Sequence, residues 1–325
     1  MNRPVSTPTS SRAPCAQRLA RLEAPPGEPP AEAPEVPLAA LDQLWFQVSG
    51  TVCNLRCRHC FISCSPENHS FWFLGRERVA EALERSVELG VKEYYFTGGE
   101  PFMNRELLGI LGDTLALGPA TVLTNGTLLP PRTVSKLAEL AAGSPYSLEL
   151  RVSLDGTTGE MNDAIRGEGA FARTMEGVER LVAAGFLPIV TCMRSWDEEA
   201  TPEVLGAFRD LLVGIGYGRA RIKILPPLLM GEEVGRTRGY GPAERVTAEM
   251  LSGFPVDQLL CRRARLVTSR GVWVCPILPE APDGFMGDTL DEAMARPARL
   301  SEPACHTCVL GGALCSNAPA GGEDR

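Results

Sequence analysis

The stretch Cys53-Asn54-Leu55-Arg56-Cys57-Arg58-His59-Cys60 spaces three thiols as C-x3-C-x2-C, and everything else in the chain is read against it. Three thiolates are one fewer than the four that close an ordinary zinc or iron-sulfur site, so a metal group held here keeps one corner open. An open corner is where a small molecule can bind. The same spacing also fits half of a zinc site, or a chance cluster in a chain with 11 cysteines.

Working outward, residues 1–40 are rich in Pro, Ala, Glu and Ser, as in Ala24-Pro25-Pro26-Gly27-Glu28-Pro29-Pro30. So few large apolar side chains cannot offset the ordering entropy, and the segment reads as a disordered tail in which Cys15 is incidental. Downstream, strand-like runs at 44–49, 92–96, 120–124, 146–154, 187–193 and 219–225 alternate with helical periodicity at 76–89, 104–117, 131–142, 171–184 and 202–215. Asn104 is placed to cap the second helix. Strands separated by helices imply an α/β fold with a parallel sheet, curled into a barrel or three-quarter barrel, an open doubly wound sheet being the alternative. The expected organisation is a tail at 1–40, a barrel at 41–230, a linker at 231–260, a cysteine-rich extension at 261–318 and a short tail at 319–325.

In a barrel, chemistry collects at the C-terminal ends of the strands. Three such ends carry Thr97-Gly98-Gly99-Glu100, Thr124-Asn125-Gly126-Thr127 and Ser153-Leu154-Asp155-Gly156. Taken singly, Gly-Gly-Glu and Asn-Gly are ordinary turns, and Asp155 could cap a helix. The extension adds Cys261 and Cys275, which bracket a hairpin, and then Cys305-x2-Cys308-x6-Cys315.

Together these motifs resemble the radical S-adenosylmethionine (radical SAM) superfamily. The resemblance implies a partial (β/α)6 TIM-type barrel in which Cys53, Cys57 and Cys60 hold a 4Fe-4S cluster whose fourth iron is chelated by S-adenosylmethionine. One electron then cleaves that molecule to a 5'-deoxyadenosyl radical, which abstracts hydrogen from a substrate. Phe61 fits the ring that usually follows the last cysteine. The resemblance also implies SAM contacts at Gly98, Gly99 and Glu100 (the GGE motif), Asn125, Ser153 and Asp155, and at Arg166 within an R-G-x-G-x-F stretch. The C-terminal cysteines resemble twitch and SPASM extensions. With five cysteines where SPASM has seven, one auxiliary 4Fe-4S cluster is expected on Cys261, Cys275, Cys305 and Cys308, with Cys315 as alternative ligand and structural zinc as the competing occupant.

Cys64 is expected not to be a ligand, because it would fill the open corner. Cys192 reads as a buried small hydrophobe and His59 as a structural or solvent-facing residue. The expected activity is oxidation or cross-linking of an unidentified substrate, either a small molecule or a short precursor peptide. Pro276 stands where sulfatase maturases carry an acidic base and argues against that activity. The remote alternative is a non-enzymatic iron-sulfur or zinc protein. A net charge of -8 without a basic face argues against nucleic acid as a partner. The lack of a long apolar run or signal peptide favours a cytoplasmic setting, where thiols stay reduced and a flavodoxin or ferredoxin can donate electrons.

Overall fold

The computed structural model describes residues 33–311. After a two-residue strand β1 (Glu35–Val36), six strands run parallel in chain order: β2 (Gln43–Gln47), β3 (Glu93–Thr97), β4 (Ala120–Thr124), β5 (Leu148–Ser153), β6 (Ile189–Met193) and β7 (Arg221–Leu225). The helices between them are α1 (Arg76–Glu88), α2 (Leu107–Leu115), α3 (Pro131–Ala142), the pair α4 (Gly159–Arg166) and α5 (Ala170–Ala183), and α6 (Thr201–Gly214). Proline opens α3 at a position where its missing N–H costs nothing.

Both faces of the sheet are covered, so its strands are nearly continuous in apolar side chains. On β2 the neighbours Trp45 and Phe46 point to opposite faces. Trp45 stacks on Tyr95 at 4.2 Å inside the curl, and Phe46 stacks on Phe96 at 5.4 Å beneath the helices. Each aromatic pair contributes about 1 kcal/mol beyond its area burial. Val79, Leu83, Ile110, Leu111, Leu137, Val178 and Leu181 seat the helices on the outer face.

The structure corrects several boundaries. Residues 33–40 are not part of a disordered tail: β1 pairs antiparallel with β11 (Ala298–Arg299), and the Leu300 N–H donates to the Pro34 carbonyl at 2.8 Å. Main-chain pairing with a distant segment supplies an order that local composition does not reveal. The region after residue 261 is likewise not a separate appendage. Strand β8 (Ala264–Thr268) runs parallel to β2 and extends the sheet, and β9 (Gly271–Trp273) and β10 (Phe285–Gly287) follow antiparallel, giving the order β10-β9-β8-β2-β3-β4-β5-β6-β7. The hairpin expected between Cys261 and Cys275 is thus present, but as an edge of the barrel sheet. Three short helices complete this half: α7 (Ala248–Leu251), α8 (Leu290–Met294) and α9 (Pro303–Gly311).

Asn104 lies three residues before α2, and its Oδ1 accepts from Glu106 N–H at 2.9 Å in the turn that leads into the helix. Its amide donates to the carbonyls of Val48 at 2.8 Å and Leu74 at 2.9 Å, tying the thiol-bearing loop to the second strand–helix junction. Helix α4 carries one of the site residues and has no counterpart among the helices expected from sequence. Cys15, Cys315 and the tail at 319–325 lie outside the described residues. Among the described residues, no helix is long and apolar enough to cross a membrane.

Candidate active site

The loop after β2 folds against the loop after β3. Gly99 N–H donates to the Gly50 carbonyl at 2.8 Å and Glu100 N–H to the Val52 carbonyl at 3.1 Å. A Cβ on Gly99 would lie 2.1 Å from the Val52 carbonyl oxygen, and one on Gly98, whose φ is +150°, 2.2 Å from Ser49 Oγ. The two glycines therefore let the strand end approach the thiol loop as closely as it does. Further along, Arg58 N–H donates to the Ile165 carbonyl at 2.8 Å, and Asn54 bonds to both Thr127 and Asn125 at 2.9 Å. The ends of β3 and β4 and the last turn of α4 are in this way laced to one loop.

They surround a cavity of about 230 Å³ bordered by Cys53, Cys57, Cys60, Gly98, Gly99, Asn125, Ser153, Asp155 and Arg166. Of the barrel residues expected at the cluster and cofactor, all border this cavity except Glu100. Its side chain is fully buried behind the cavity, where one carboxylate oxygen accepts from Phe102 N–H and Thr124 Oγ1 and the other from Asn125 N–H at 2.7 Å. Burial pushes Glu100 up to about 7 against those three donors. It shapes the Asn125 turn and does not face the cavity.

Asp155 is the electrostatic hub. Oδ2 lies 2.6 Å from His59 Nε2 and 2.6 Å from Arg166 Nε, while Oδ1 accepts from Met193 N–H at 2.8 Å. Burial alone would raise this carboxyl, but Arg166 and then His59 outweigh it and hold it below the usual range. Arg166 reaches it from the last turn of α4. The turn into α5 is set by Asp163, whose carboxylate accepts from Gly169 N–H and Phe171 N–H at 2.7 Å each, so the R-G-x-G-x-F stretch is the device that aims the arginine. Arg166 Nη1 also lies 4.0 Å from Cys57 Sγ.

His59, read from sequence as structural or solvent-facing, is buried and belongs to this hub. Its position between two of the three cysteines was the only available signal. Burial pushes Cys53 up to about 12 and Cys57 up to about 11, whereas the Cys64 side chain, hydrogen-bonded to Cys60, lowers Cys60 to about 6. Cys64 borders the same cavity. Cys192 is buried in β6, as expected.

Two observations fit the cavity to an iron-sulfur cluster carrying a polar organic ligand. Three thiols converge from one loop, and the buried atoms His59 Nδ1, Trp45 Nε1 and Thr191 Oγ1, all on cavity residues, have no protein partner among the described residues.

A second thiol pocket lies under the added strands. Cys261, Cys275, Cys305 and Cys308 border one largely apolar pocket with Leu259, Leu260, Val274, Ile277 and Leu278. Burial pushes Cys261 up to about 12 and Cys275 up to about 11. The neighbouring residue Pro276 borders the barrel cavity, so the two thiol groups are joined through the Cys275-Pro276 peptide. Among the described residues, no three Cys, His, Asp or Glu side chains stand as close together as a single ion requires. Thiolates that each hold a different metal atom of a cluster stand farther apart than the ligands of one ion.

A partial parallel barrel with a three-thiol loop at its strand ends is the arrangement that the radical SAM resemblance implies. Residues 48–197 match the Radical SAM superfamily. It is 33% identical over 138 residues to the AdoMet-dependent heme synthase of Oleidesulfovibrio alaskensis, covering 41% of this chain and 33% of that protein. It is 30% identical over 135 residues to the mycofactocin maturase MftC of Mycobacterium ulcerans, covering 41% and 35%. The chain thus spans about a third of the length of these curated relatives. In fold it is similar to Streptococcus suis SuiB bound to its precursor peptide SuiA, with a TM-score of 0.60 at 16% identity over 85% of this chain and 72% of that one. It is also similar to anSMEcpe with bound AdoMet, with a TM-score of 0.56 at 16% identity over 78% and 80%.

Proposed function

We propose that this protein is an enzyme that reductively cleaves S-adenosylmethionine and uses the product to abstract hydrogen from a peptide or small-molecule substrate, oxidising or cross-linking it. The observation that carries this reading is the convergence of Cys53, Cys57 and Cys60 with the ends of β3, β4 and β5 around one cavity containing unpartnered polar atoms. Held by Cys53, Cys57 and Cys60, a 4Fe-4S cluster would supply the one-electron chemistry that cleaves SAM.

The chain's own residues bind, orient and shield. Gly98 and Gly99 offer backbone groups at close range to the SAM amine, and Asn125 and Ser153 present side chains to the cavity. Asp155, with its oxygens already taken by His59, Arg166 and Met193, acts as a positioning residue. It holds the arginine where its remaining N–H groups can meet a carboxylate. Leu55, Ile62, Leu123 and Leu225 keep water from the reacting centre.

The four C-terminal thiols are proposed to hold one auxiliary 4Fe-4S cluster that takes the leftover electron or ligates the substrate. A flavodoxin-type or ferredoxin-type donor would supply the initiating electron. The relatives are named for different activities, and the substrate is not inherited from any of them.

Under dithionite, the anaerobic protein should release 5'-deoxyadenosine from SAM without any substrate, and Cys57→Ala should stop that release. Normal cleavage by Cys57→Ala would refute the assignment of the first cluster.

A further inference from the structure

We propose that Arg265 is the internal counter-ion of the C-terminal metal centre, and that its charge sets how readily that centre accepts an electron. The proposal rests on the reading that Cys261, Cys275, Cys305 and Cys308 hold an iron-sulfur cluster.

Arg265 lies in the middle of the sheet, on β8, with 0% of its surface exposed. Its guanidinium donates to four carbonyl oxygens: Cys261 and Ala264 at 2.8 Å, Arg296 at 3.0 Å and Ala293 at 3.1 Å. Carbonyl dipoles orient a guanidinium, but they do not cancel its charge. Among the described residues no carboxylate pairs with it. The acids of the adjacent helix α8 are engaged elsewhere, Asp291 with Arg85 at 2.6 Å and Glu292 with Asp288 N–H at 2.8 Å. An unpaired buried cation is among the most costly features a core can contain.

What lies next to it is the thiol pocket. The carbonyl of Cys261 joins the guanidinium to a residue whose thiol borders that pocket, and Cys275 ends the hairpin that β8 begins. Four thiolates around a cubane or a metal ion carry net negative charge, so the loaded centre supplies the missing counter-charge. A fixed positive charge nearby favours the more negative, reduced state of the centre. Arg265 therefore raises the potential of this cluster. The barrel cluster has Arg166 beside Cys57, but that charge is already shared with Asp155.

The test uses the full-length, anaerobically loaded protein with Arg265→Met and Arg265→Lys. In a titration followed by electron paramagnetic resonance, with the barrel cluster as internal reference, Arg265→Met should make reduction of the C-terminal cluster at least tenfold less favourable. This is a shift of about 59 mV for one electron. Arg265→Lys, which keeps the charge, should recover most of it.

Thermal unfolding gives an independent readout. Arg265→Met should destabilise the loaded protein, yet stabilise a Cys261→Ala, Cys305→Ala background in which the cation has no counter-charge. A residue that merely clamps carbonyls would destabilise both. An unchanged potential at full iron content, or destabilisation of equal size in both backgrounds, would overturn the counter-ion role. A parent protein that holds only about four iron would instead sink the cluster reading on which it rests.

Discussion

Cys53, Cys57 and Cys60 border a cavity of about 230 Å³ that they share with Asp155, Arg166, His59 and Asn125, whereas Cys261, Cys275, Cys305 and Cys308 border a pocket walled mainly by leucine, isoleucine, valine and alanine. The first setting offers a ligand room, polar contacts and a charged hub. The second offers thiols, mainly apolar walls and one buried cation behind the backbone. Similar thiols thus stand in two different surroundings: one group beside a charged hub, the other, of which Cys261 and Cys308 are only partly buried, among aliphatic walls. Cys275 borders the second pocket and Pro276 the first, so a single peptide links the two.

The comparison is most severely tested by emptying the second pocket. A Cys305→Ala, Cys308→Ala variant should lose about four iron, keep uncoupled release of 5'-deoxyadenosine and fail to make product. Circular dichroism must accompany the assay, because metal-binding energy in such a region is also folding energy. Full iron content would show that these thiols are not ligands. Product formed despite iron loss would reduce the second cluster to a brace.

The next largest effect is expected at the polar hub of the first cavity. Asp155→Asn leaves Arg166 buried without its partner and should cost roughly 3–5 kcal/mol in chemical denaturation. SAM binding should weaken with it while the iron content of both clusters holds. Stability and SAM affinity both at parental values would remove Asp155 from its positioning role.

A pH signature should follow from Glu100, whose ordinary value of 4.5 is raised to about 7 by burial. Between these values the folded state binds more protons than the unfolded one, so stability should fall as pH rises from about 4.5 to 7, by on the order of 3 kcal/mol in all. Measured against the parent, Glu100→Gln should flatten that slope; an unaltered slope would place the titration elsewhere.

The smallest effect is expected for Cys64→Ser, which should retain the first cluster's iron and SAM cleavage at a cost of about 1 kcal/mol. A loss as complete as that of Cys57→Ala would make Cys64 a ligand.

Much of this architecture was legible in the chain. The strand at 120–124 and the helix at 131–142 were placed to the residue, because an apolar run bounded by turn residues and a proline-led amphipathic stretch are local signals. The three loop thiols and the strand-end motifs were legible for the same reason: loop spacing is a sequence property. What could not be read was long-range. Glu100 reads from the sequence as a cavity acceptor, yet the Asn125 turn takes up its oxygens; His59 reads as structural or solvent-facing, yet its partner is Asp155, 96 positions away. Helix α4 was overlooked as part of a connecting loop, although it carries Arg166.

By itself the sequence determined the alternation of strands and helices, the loop that gathers three thiols and the order in which motifs arrive at the strand ends, because each depends on residues within a few positions of one another. Only the tertiary structure decided that β8 joins β2, that residues 33–40 are held by β11, that four C-terminal thiols share one apolar pocket and that Arg265 is buried beside them without a carboxylate. Strand pairing and charge burial are settled by whichever distant segment best covers an open edge or compensates a charge, and local composition does not encode that choice.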